Sequence, residues 1–216
     1  SIDQILQGGW YLLELINEIL DLALIESGKL SLSLESMSLP DVLLDCQAMI
    51  EPLAQKSGIR MRFPRIEATT FIKADRTRVK QVLINLLSNA IKYNRAEGSV
   101  EVTCRTLNAE RLRVSVKDTG EGLSPEKLAQ LFQPFNRLGQ EASAEEGTGI
   151  GLVVSKRLIE LMGGEIGVES TIGVGSVFWI ELNVAAEPQP ATGAAEALAP
   201  SHAGVAHGTA RRTLLY

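Results

Sequence analysis

Three short motifs, in one fixed order, limit what this chain can fold into more than any other feature. Asn85, Asn89, Lys92 and Tyr93 stand at helical spacing in a segment that Asp75 is suited to cap. Asp118-Thr-Gly120-Glu-Gly122 follows a stretch of strand-like alternation, and Gly147-Thr148-Gly149-Ile-Gly151-Leu152 opens a further helix. Together they offer an amide pair, a carboxylate and a glycine-rich helix start, each weak evidence alone and stronger as a set.

Each motif has its own chemistry. Asn85 and Asn89 are four apart and share a helix face. A neutral amide oxygen is an acceptable ligand for Mg²⁺, which takes few protein ligands and keeps its waters and phosphate oxygens. The same pair also fits the exposed side of an ordinary amphipathic helix. At Asp118 the carboxylate can accept from an exocyclic amino group while Gly120 and Gly122 let backbone approach a flat ligand. The same five residues are also ordinary turn chemistry. The glycines from Gly147 to Gly151 would leave N–H groups free at the positive end of a helix, where phosphates bind. No Lys-Ser/Thr follows the last glycine, so this is not a P-loop. The acidic residues 141–146 before it are no strand, which speaks against a dinucleotide-binding unit.

The 216 residues suffice for one domain with appendages, and 45% hydrophobic with 22% charged residues is a globular composition. A net charge of −5 argues against nucleic acid as a partner. With no signal-peptide pattern and no run of about 18 apolar residues, a cytoplasmic location is expected, with membrane attachment only through other segments of a parent protein. Cys46 and Cys104 have no metal-like spacing and are expected to be reduced, buried thiols.

Residues 1–27 read as one helix. Ile2, Ile5, Gly9, Leu12, Ile16, Ile19 and Ala23 follow a coiled-coil seam, widened by Leu6, Leu13, Leu20 and Leu24, which suits a multi-helix bundle. Strand alternation is expected from Leu30 through Leu34, then a helix from Pro40 to Lys56, and strands over residues 59–65 and 71–74. The helix carrying the asparagines follows, then a hairpin over residues 99–107 and 112–117. A short helical piece over 125–132 precedes a polar stretch, 139–146, expected to be mobile without ligand. A third long helix, 150–162, and strands over 165–169 and 176–184 close the domain. The expected architecture is a two-layer sandwich of a mixed β-sheet and three long helices on one face, preceded by one bundle-type helix. Residues 185–210, rich in Ala, Pro and Gly, are expected to be a linker.

With every motif on its expected element, the chain resembles the ATP-binding catalytic domain of sensor histidine kinases, within the superfamily shared with gyrase, Hsp90 and MutL. Asn85 to Tyr93 resembles the family's N box, while Asp118 to Gly122 and Gly147 to Leu152 resemble its glycine boxes. Phe132-Gln-Pro-Phe135-Asn-Arg137 resembles the phenylalanine box of its ATP lid, and Gly173-Val-Gly175-Ser176-Val-Phe178 its last glycine box. The resemblance covers residues 30–184. It implies ATP and Mg²⁺ as cofactors, with Asn89 as the metal ligand and Asn85 in support. Lys92 and Arg137 would contact phosphates, Tyr93 would lie by the adenine, and Asp118 would bind its amino group. Gly149, Gly151 and Thr148 would hold the phosphates as the lid closes, and Gly120, Gly122, Leu123, Phe135, Gly147, Leu152 and Ser176 complete the implied nucleotide set.

One position separates the subfamilies. The superfamily's ATPases carry a Glu four residues before the metal Asn, where it activates water; this chain has Asn85. Slow hydrolysis and a γ-phosphoryl group kept for a better nucleophile are the implication. A clamp-type ATPase and a non-catalytic dimerising scaffold are the alternatives. The only histidines, His202 and His207, lie in the expected linker, so a phosphoacceptor is expected on a helix outside this sequence. Residues 1–27 resemble the second helix of the family's dimerisation and phosphotransfer hairpin, which implies a homodimer. Arg211 to Tyr216 resembles the first strand of a receiver domain, which would make the parent a hybrid kinase and a response regulator or receiver its partner.

Overall fold

The computed structural model describes residues 2–134 and 148–188. Phe135, Arg137, Gly147, the stretch 139–146 and residues 189–216, with the expected linker and receiver strand, lie outside the described residues.

Among the described residues twelve elements follow in order: α1 (Ile2–Glu26), β1 (Glu35–Ser38), α2 (Leu39–Lys56), β2 (Arg60–Arg62), β3 (Phe71–Ala74), α3 (Arg76–Lys92), β4 (Ser99–Thr106), β5 (Arg111–Asp118), α4 (Pro125–Gln130), α5 (Gly151–Leu161), β6 (Glu165–Thr171) and β7 (Gly175–Ala185). The sheet runs β1-β3-β7-β5-β4-β2, with β6 beside the first part of β7. Among the described residues only β2 and β4 pair in parallel, so the sheet is mixed. The helices α2, α3 and α5 cover one face, α3 in the middle. This is the expected α/β two-layer arrangement.

Period-two alternation decides which face each strand buries. Leu112, Val114 and Val116 of β5 stand opposite Leu182, Ile180 and Phe178 of β7, and all six are buried. Leu83, Leu86, Leu87, Leu158 and Ile159 close on them from α3 and α5. The opposite face holds Arg113, whose guanidinium bonds Glu181 Oε1 (Nε 2.9 Å, Nη2 2.5 Å) and stacks 3.9 Å above Trp179.

Two strands are shorter than their alternation predicts. Residues 30–34 form none: Leu30 and Leu32 pack on the core, and the Ser33 N–H donates to Asp75 Oδ2 (3.0 Å) instead of to a neighbouring strand. Of residues 59–65 only Arg60–Arg62 is a strand. Its partner β4 offers Ser99 to Glu101 there, and Pro64 brings no N–H. Cys46 is buried in α2 and Cys104 half-buried in β4; both are free thiols.

The first helix lies on the domain, against α5. Leu15, Leu22 and Ile25 pack on the core, while Asp21 accepts from Arg78 Nη1 (2.9 Å) and Gln81 Nε2 (2.7 Å) of α3. On its other side Leu12, Leu13, Ile16, Ile19, Leu20 and Leu24 stay exposed. These six positions of the apolar stripe therefore face outward, and a second face, with Leu15, Leu22, Ile25 and the acidic Glu18 and Asp21, does the docking. No helix among the described residues is long and apolar enough to cross a membrane.

Candidate nucleotide site

Helix α3 starts where Asp75 Oδ1 accepts the Arg78 N–H (3.1 Å), and its buried face is Val79, Val82, Leu83, Leu86, Leu87, Ala90 and Ile91. That pattern turns Asn85 and Asn89 to the border between core and solvent, facing α5. Asn85 Nδ2 donates to Ser155 Oγ of α5 (2.9 Å), and Asn89 Nδ2 reaches Asn85 Oδ1 (3.4 Å). A Cβ on Gly151 would stand 2.7 Å from Asn85 Oδ1, so a larger residue there would displace the Asn85 amide.

The expected anion cradle falls at the start of α5. Its cap residue Ile150 makes no side-chain capping bond, and Gly149 has a positive φ of 73°. Among the described residues, no side chain of the cap takes an N–H of this first turn, at the positive end of the helix. Thr148 Oγ1 accepts the Ile150 N–H (3.2 Å) and donates to Glu18 Oε2 of α1. Leu152 is partly buried against the core beside it.

Asp118 is the next inward position after Leu112, Val114 and Val116, so the β5 register places a carboxylate on the core face. Its Oδ1 accepts the Gly120 N–H (2.8 Å) and the Ser176 N–H (3.1 Å), which leaves Oδ2 without a protein donor among the described residues. Burial pushes this carboxyl above its ordinary pKa, and the two N–H bonds oppose that shift. Beside it Ser170 Oγ accepts from the Leu123 N–H (2.8 Å) and meets Ser176 Oγ (2.9 Å), which fixes Gly122-Leu123 on the β6–β7 hairpin.

The strand end is tied to the helix carrying the amides. A Cβ on Gly120 would fall 2.4 Å from the Tyr93 carbonyl, so the turn lies directly on the end of α3. Asn94 Nδ2 donates to the carbonyls of Ala90 (3.0 Å) and Ser99 (3.1 Å), and its Oδ1 accepts from Thr119 Oγ1 (3.0 Å). Tyr93 caps α3 and is exposed, with Lys92 Nζ 5.1 Å from its ring centre. The α3 amides, the Asp118 turn and the α5 cradle are thus joined through Ser155, Gly151 and Gly120.

Four contributors escaped the sequence reading: Ser155, Asn94, Ser170 and Glu18. Ser155 lies one turn after Gly151, the spacing that shares a face with the cradle, and this was the available signal. Glu18 had none, since only docking of α1 brings it to Thr148.

The chain is similar to known proteins of one family. Residues 74–186 match the model of the family described as histidine kinase-, DNA gyrase B-, and HSP90-like ATPase. Sensor histidine kinase GacS of Pseudomonas protegens is 46% identical over 180 residues, which covers 80% of this chain and 19% of GacS. Circadian input-output histidine kinase CikA of Synechococcus elongatus is 38% identical over 195 residues, covering 87% of this chain and 25% of CikA. The chain thus spans about a fifth to a quarter of the length of these relatives. Among solved structures, full-length ShkA in complex with AMPPNP superposes with a TM-score of 0.72 at 31% identity, over 85% of this chain and 38% of ShkA. Histidine kinase ThkA in complex with response regulator TrrA gives 0.66 at 28% identity, over 84% of this chain and 50% of ThkA. The chain belongs to the family of histidine kinase-, DNA gyrase B-, and HSP90-like ATPases, as a histidine kinase ATP-binding catalytic domain.

Proposed function

We propose that this chain binds ATP with Mg²⁺ and donates the γ-phosphoryl group to a histidine on another segment or another protein. Asp118 carries the reading. It is a buried carboxylate with one oxygen held by two backbone donors and the other left for a ligand's amino group. The adenine amino group donates to Oδ2, with Tyr93 alongside the base. The phosphates run toward the N–H groups of Gly149 and Gly151, with Lys92 and Arg137 supplying positive charge.

The donor set suits a hard cation held mainly by phosphate oxygens: an amide and no acidic cluster, for no group of three or more His, Cys, Asp or Glu able to hold a metal occurs among the described residues. Asn89 would be the protein ligand, supported by Asn85. When bound, Mg²⁺ neutralises charge on the β- and γ-phosphates. The protein's own contribution is positioning and charge complementarity.

The transfer reading is favoured over a clamp-type ATPase by position 85. An amide bonded to Ser155 stands where a water-activating carboxylate would be needed. Transfer also requires an acceptor, and the only histidines, His202 and His207, have no phosphoacceptor context. The exposed apolar side of α1 suits a homodimer built as a helical bundle, and a response regulator or receiver domain is the downstream partner.

Calorimetric titration with ATP tests the nucleotide site. Asp118→Asn should lose about 10–150-fold in affinity, the range for one charge-assisted hydrogen bond. Unchanged affinity would refute the adenine assignment. Incubated with γ-labelled ATP, the chain alone should gain no acid-labile phosphate. Steady hydrolysis at about 1 per second would instead restore the clamp reading.

A further inference from the structure

The asparagines of α3 do not stand alone. Ser155, on α5, is only 2% exposed, and its Oγ lies 2.9 Å from Asn85 Nδ2. Asn85 Oδ1 in turn accepts from Asn89 Nδ2 at 3.4 Å. An amide has a donor end and an acceptor end, so a bond at one end decides what the other presents. With its NH₂ on Ser155, Asn85 offers its oxygen to Asn89. Asn89 then spends its NH₂ inward, and its own oxygen is left for the nucleotide side. A cation needs that oxygen; a flipped Asn89 would offer it an NH₂ group.

We propose that Ser155 is a positioning residue for the metal amide. Its hydroxyl accepts the Asn85 NH₂ and anchors the Asn85–Asn89 pair, and in that arrangement Asn89 faces Mg²⁺ with oxygen. The proposal rests on the reading of Asn89 as the metal ligand. It goes beyond that reading by placing control of the ligand on α5, the helix that carries the phosphate cradle. Ser155 follows Gly151 by one helical turn, and Gly151 is itself packed on Asn85 Oδ1. Any shift of the cradle therefore moves the anchor of the metal amide with it.

The experiment is a calorimetric titration of the whole chain with AMPPNP, once with excess Mg²⁺ and once with a chelator. The natural chain should bind more tightly with Mg²⁺. Ser155→Ala should lose about 3–10-fold of that gain, the range for one neutral hydrogen bond, with affinity in chelator unchanged. Ser155→Thr, which keeps the hydroxyl, should retain the gain. Ser155→Cys has nearly the volume of serine but a weak acceptor, and should behave like Ser155→Ala; it serves if the alanine variant fails to fold. Equal losses with and without Mg²⁺ would overturn the proposal by showing a packing role only. So would a full gain in both Ser155→Ala and Ser155→Cys. A natural chain and an Asn89→Ala variant with the same Mg²⁺ gain would instead remove the metal-ligand reading itself.

Discussion

Asp118 allows the structural and ligand roles of one side chain to be separated. Replacing it by alanine removes the acceptor of two N–H groups, from Gly120 and Ser176, in a buried position. Each buried donor left without a partner costs about 1–3 kcal/mol, so Asp118→Ala should destabilise by about 2–6 kcal/mol. At about 2–4 °C per kcal/mol in a chain of this size, the melting temperature should fall by about 4–24 °C. Asparagine keeps an oxygen for both donors and carries no charge. The Asp118 carboxyl is held above its ordinary pKa by burial. Between the ordinary value and the raised one, the folded state keeps a proton that the unfolded chain has lost. Stability contributed by this group therefore falls as pH rises through that window, and the full penalty is present above it. Asp118→Asn should accordingly melt at or above the natural chain at pH 7, with any advantage disappearing at pH values below the ordinary carboxylate range. Thermal melts followed by circular dichroism across pH, without nucleotide, provide the assay. An asparagine variant as unstable as the alanine variant at pH 7 would refute the reasoning.

The other predictions concern different parts of the molecule. Arg113→Ala should cost about 2 kcal/mol in urea unfolding, because Glu181 loses its charged donors and Trp179 its stacked cation; Arg113→Lys should restore little, lacking the planar fork. Burial pushes the Cys46 thiol up to about 11 and Cys104 up to about 12. A disulfide reagent at pH 8 should therefore leave both unreacted in the folded chain and modify two thiols after denaturation. Glu18→Gln removes a negative charge beside the start of α5 and should raise ATP affinity about 2–5-fold, with adenosine binding unchanged. Weaker ATP binding in that variant would show that Glu18 supports the site instead of opposing anions there.

Much of the fold was legible because it depends on local rules. Asp75 capping α3, the alternation of Leu112, Val114 and Val116, and the glycines that open α5 are each readable from neighbours in sequence. The alternation misled where strand pairing was missing. Residues 30–34 have the pattern of a strand but spend a backbone donor on Asp75, and only a facing strand could have held them extended as sheet.

The candidate site divides along the same line. Sequence alone determined its chemical parts: Asn85 and Asn89 on one helix face, a carboxylate at a strand end, glycines at a helix start. Periodicity and backbone propensity act over a few residues, and those parts need nothing more. Tertiary structure decided how the parts are joined. Ser155 reaches Asn85 across 70 residues, and Ser176 meets Asp118 across 58. Thr148 finds Glu18 across 130. Hydrogen bonds have a range of about 3 Å, so their partners are fixed by which elements pack together. That packing also buries Asp118, shifts its proton affinity and turns α1 so that an acidic pair faces the domain while its apolar stripe remains outside.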